Sequence, residues 1–88
     1  MCTNIMQTTP IRGSGKGPSG WFALSRATVG YDHAAHLPTE HALLLDFLNP
    51  SLGVDARVAV ELTLDSGLAL LEQLQTAIAA AEASGVAE

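Results

Sequence analysis

One cysteine, four basic residues and no long apolar run set the first limits on this chain. A single cysteine excludes an internal disulfide and makes the reducing cytoplasm the expected compartment. The cations Arg12, Lys16, Arg26 and Arg57 are scattered, and nine Asp and Glu outweigh them to give a net charge of −5. Binding a nucleic-acid backbone takes clustered cations that displace condensed counterions, so DNA and RNA are poor partners, as is an anionic membrane surface. The start of the chain lacks the charged and apolar regions of a signal peptide, and no stretch has the length of a membrane span. There is no internal repeat and no long low-complexity tract.

What is present is a globular composition. Hydrophobic residues make up 48% and charged residues 15% of 88 residues, a mix that drives collapse into a single domain over 1–88. A chain this short buries only about 60–65% of its unfolded surface. With few charges to cover the outside, apolar area is expected to remain exposed, and a homodimer through the sheet face that the single helix leaves open is the favoured way to cover it.

Patterning predicts an α+β domain with a small antiparallel sheet of about four strands and one C-terminal helix packed on one face. Residues 3–11 are β-tolerant, and Pro10 marks an edge strand. Residues 13–20, rich in glycine, read as a flexible loop. Aromatic and β-branched residues over 21–32 predict a second strand. A third spans 40–48, apolar on both faces across Ala42 to Leu45 and therefore central. After a turn at 49–53, Val54, Ala56, Val58, Val60 and Leu62 alternate with polar residues in a fourth strand. The period then changes, and Leu68, Leu71, Leu74, Ala77, Ile78 and Ala81 form one stripe of a helix over about 64–84. Thr63 or Ser66 suits its start, and Gly85 its stop.

The chemically suggestive feature is His33-x2-His36-x4-His41, flanked by Asp32 and Glu40. Neutral imidazole is a common ligand for transition metals. Two strand ends joined by a short loop would bring such donors together, so His33, His36 and His41 are candidate metal ligands. Zinc is the first choice, with iron or copper next. Cys2 is the candidate fourth ligand, and loss of Met1 would expose it as an N-terminal residue carrying amine and thiol together. Alternation places Asp32 and Glu40 opposite the histidines, as supporting or surface groups unless the backbone bends locally. The competing reading is that the histidines are loop residues making surface hydrogen bonds.

Asp46 stands among leucines, where an unpaired carboxylate is costly. It reads as a pair with Arg26 or Arg57, or as exposed at the strand end; the functional alternative is a general base or a metal ligand. Gly13-Ser14-Gly15-Lys16-Gly17 fails as a phosphate-binding loop, because Pro10 and Gly17 occupy positions that need glycine and Ser or Thr. Trp21 and Phe22 read as packing residues, with pocket lining as the alternative.

Met1-Cys2-Thr3, Gly13-Ser14-Gly15-Lys16-Gly17, Gly20-Trp21-Phe22, Asp32-His33-x2-His36, Glu40-His41-Ala42-Leu43 and Asp46-Phe47-x-Asn49-Pro50 together resemble a family of short actinobacterial proteins of unknown function. The resemblance spans most of the chain and implies no activity, while adding weight to Cys2 and the histidines. The leading reading is a small metal-binding protein. As an enzyme it would perform hydrolase, isomerase or lyase chemistry on a small molecule, with Glu40 or Asp46 as proton acceptor. The alternatives are a non-catalytic homodimeric or accessory module, and a metal-free thiol enzyme that uses Cys2.

Overall fold

The sheet is built outward from a strand that has no polar face. In the computed structural model, which describes residues 3–86, that strand is β3 (His41–Leu48), and it lies between β2 (Gly20–His33) and β4 (Arg57–Leu62). Strand β1 (Ile5–Gly17) completes a four-stranded antiparallel sheet in the order β1-β2-β3-β4, and the helix α1 (Leu64–Ser84) follows. The fold is α+β, and short connections between sequence neighbours produce its antiparallel order.

The glycine-rich segment 13–20 is not the flexible loop its composition suggests. Gly13, Gly15 and Gly17 pair with Leu24, Phe22 and Gly20, and the turn shrinks to Pro18 and Ser19. A Cβ at Gly15 would stand 3.2 Å from Leu24 and 3.3 Å from Val58, so this end of the hairpin curls against β4 where only glycine fits easily. The register shifts between Pro10 and Gly13, a bulge placed where proline has no N–H to give.

Two other expectations change. Val54 and Ala56 belong to a turn closed by Ala56 N–H donating to the Gly53 carbonyl, so β4 begins at Arg57. Trp21 is 71% exposed and therefore not a packing residue. It rims an open cleft of about 500 Å³ with Phe22, Leu52 and Val54.

Helix α1 matches its expected span at both ends. The Thr63 side chain accepts from Ser66 N–H, and Gly85 stops the helix in the left-handed region at φ 74°. The helix meets the sheet at Gly67, where a Cβ would overlap Leu43 Cδ1. Beyond that point it runs off the sheet. Among the described residues the buried apolar side chains are only Ala27, Ala42 and Ala56. No helix of the described residues is long and apolar enough to cross a membrane.

Candidate metal centre

Antiparallel pairing of β2 with β3 runs from Arg26↔Leu48 to His33↔His41, which sets two histidines opposite each other on the last rung. Side chains opposite each other share a face. The two imidazoles stack with centroids 4.9 Å apart and planes 25° apart. Tyr31, two residues earlier on β2, stacks on His41 at 5.6 Å and 23°. The result is a column of three rings along the sheet end.

Alternation sends Asp32 to the other face, yet its carboxylate turns back along the chain. Asp32 Oδ1 accepts the His33 N–H at 2.8 Å. One donor atom each from Asp32, His33 and His41 then lies within 4.8 Å of the other two. Zinc bonds nitrogen at about 2.0–2.1 Å, which puts tetrahedral neighbours about 3.3 Å apart. Binding therefore requires these side chains to close by at most about 1.5 Å, a displacement on the scale of modest χ rotations in partly exposed groups.

The connecting loop 34–40 is held by a residue that sequence reasoning assigned only to the polar side of β4. Glu61 accepts backbone N–H bonds from Ala35 at 2.9 Å, His36 at 2.9 Å and Leu37 at 3.1 Å. These bonds hold the Glu61 carboxyl below the usual glutamate range, the Ala35 amide contributing most and the His36 amide next. His36 Nδ1 also lies 3.4 Å from Glu61 Oε2. Ala34 N–H donates to the Glu40 carbonyl at 3.1 Å and closes the loop base.

The structure thus brings together two of the three histidines. His36 projects outward with its side chain 88% exposed, and the group of converging donors contains Asp32 in its place. Glu40 is exposed and is not in that group. Cys2 lies outside the described residues. Asp46 is paired with Arg57: Arg57 Nε donates to Asp46 Oδ1 at 2.7 Å, and a second guanidinium nitrogen lies 2.6 Å from the same oxygen. A cleft of about 580 Å³ opens beside the cluster, lined by His33, His36, Leu37, Asp46, Arg57 and Glu61 among others.

A family model matches residues 1–87 of this sequence. The chain belongs to DUF6295, a family of unknown function. No curated protein and no solved structure matches it. Membership agrees with the resemblance drawn from the motifs, and it brings no activity with it.

Two features of the DUF6295 chain escaped the sequence. The Asp32 carboxylate folds back at a strand end, where alternation no longer governs direction. Glu61 reaches a loop some 25 residues earlier. Its partners there are backbone amides, which leave no side-chain signal in the sequence.

Proposed function

We propose that this protein binds a divalent transition metal, zinc first, through His33, His41 and Asp32. The supporting observation is the convergence of two imidazoles and a carboxylate within 4.8 Å on one strand-end rung. Three protein donors leave coordination positions for water or a substrate, the arrangement of catalytic rather than closed structural zinc sites. A cleft next to His33, mostly apolar with Asp46, Arg57 and Glu61 in its wall, offers space for a small molecule. In an enzymatic reading, the metal would polarise a carbonyl or generate hydroxide from bound water. Asp46 is engaged by Arg57 and Glu61 by the loop amides, so neither stands ready as a general base. His36 and Cys2 remain as further donors proposed from the sequence.

Metal per chain, measured by mass spectrometry on untagged protein incubated with zinc and desalted, tests this reading. About one equivalent is expected in the wild type and in His36→Ala. Loss is expected in an Asp32/His33/His41 triple-alanine variant. Absence of metal in the wild type, or full retention in the triple variant, contradicts it. A Cys2→Ser variant decides whether the thiol contributes.

The second reading is a non-catalytic, self-associating module. It is supported by the uncovered apolar side of α1, and it does not compete with metal binding.

A further inference from the structure

The spacing of apolar residues along α1 names a partner. Leu64, Gly67, Leu71, Leu74, Ile78 and Ala81 follow one another at intervals of three, four, three, four and three. This is the heptad pattern of a helix that packs against another helix. Gly67, the second residue of the stripe, touches Leu43 of its own sheet, so the first turn is seated. The later turns are not. Leu71, Leu74 and Ile78 are 49%, 52% and 56% exposed, and no residue of α1 is buried.

The whole chain shows the same deficit. A folded monomer of 9.1 kDa is expected to expose about 4,900 Å². This chain exposes 6666 Å², an excess of roughly 1,800 Å² over that scaling. Its radius of gyration is 14.8 Å, against about 12 Å for a compact domain of this length. Two copies that each cover the excess would bury about 3,500 Å² in total, within the range of about 2,000–5,000 Å² typical of obligate homodimers.

We infer that the occupant of this surface is a second copy of the chain, with the Leu71–Ala81 stripe of one α1 packed on the same stripe of its partner. An isologous contact of this kind covers the exposed leucines of the later turns and part of the excess area with one operation. Charge opposes it little. The helix has no Lys or Arg, Asp65 and Glu72 lie on the side away from the stripe, and Glu82 flanks only its last turn beside Ala81. The stripe beyond Gly67 contains none of the candidate metal donors.

Light scattering on the wild type tests the pairing, with a mass twice 9.1 kDa expected across micromolar concentrations. A Leu74→Asp/Ile78→Asp variant is expected to halve the mass. Because that variant can also unfold, hydrogen exchange on the wild type supplies a second readout. Amide protection over 71–81 is expected to fall on dilution. A wild-type mass of one chain, or one above two, overturns the inference. So does a twofold mass in the double variant, or protection that is independent of concentration. A monomer that captures some other protein counts as overturning it too.

Discussion

Single residues here are informative mainly through their partners. Asp46 looked costly among its leucine neighbours, and the structure resolves the problem with the Arg57 guanidinium. The pair is partly exposed, and such pairs contribute about 1 kcal/mol or less. Asp46→Asn should therefore lower stability by no more than about 1 kcal/mol and leave zinc uptake unchanged. Denaturant unfolding and metal analysis check both, and a large loss of metal would return Asp46 to the site. Glu61 has the opposite history. Nothing nearby in sequence announced it, because its partners are backbone amides on a distant loop and leave no side-chain signature. Its carboxyl is held below the usual glutamate range by those amides, so the charged form is favoured in the folded state. The stability this provides is present above the unfolded glutamate value and is lost as pH falls through the lowered folded one. Without metal, the wild type should lose stability on acidification through that window more steeply than Glu61→Gln. Parallel melting-temperature profiles of the two proteins would refute the role given to Glu61. Faster amide exchange at Ala35, His36 and Leu37 is expected in the variant.

At the level of elements, legibility followed local chemistry. The helix could be read to its ends because its signals sit inside it: a capping threonine, a 3.6-residue period and a terminal glycine. Thr63→Ala should cost about 1 kcal/mol, read from the thermal melt of the helical signal. An unchanged melt would mean that the cap is dispensable. The central place of β3 was legible from its doubly apolar sequence. The extent of β1 was not, since glycines that signal a loop are here paired in the strand, and one of them, Gly15, closely approaches Leu24 and Val58. The start of β4 was hidden as well, because alternation from Val54 continues through residues that the backbone uses as a turn. Gly67 carries the one tight contact of helix with sheet. Gly67→Val should lower the melting temperature, and adding Leu43→Ala should restore part of the loss. Strictly additive effects in this double-mutant cycle would show that the two residues do not share a contact.

The whole molecule exposes more surface than is expected of one compact copy of its mass, and the exposed part includes the leucines of α1. Composition foretold this excess, but only the geometry of α1 leaving the sheet shows where it lies. Dimerisation makes folding concentration-dependent, so the wild-type melting temperature should rise with protein concentration. A value that stays constant over a hundredfold range would contradict the paired helix. The candidate metal centre was half legible. Clustered histidines in the sequence drew attention to this end of the sheet, and the β2–β3 register sets His33 opposite His41, with Asp32 rather than His36 in the converging group. The most direct test of that selection is the imidazole region of a long-range nitrogen–proton NMR spectrum recorded before and after one equivalent of zinc. Metal ligation by His33 and His41 predicts that their ring resonances shift while those of His36 stay in place. Rings that all remain unmoved, or a shift confined to His36, would contradict the account.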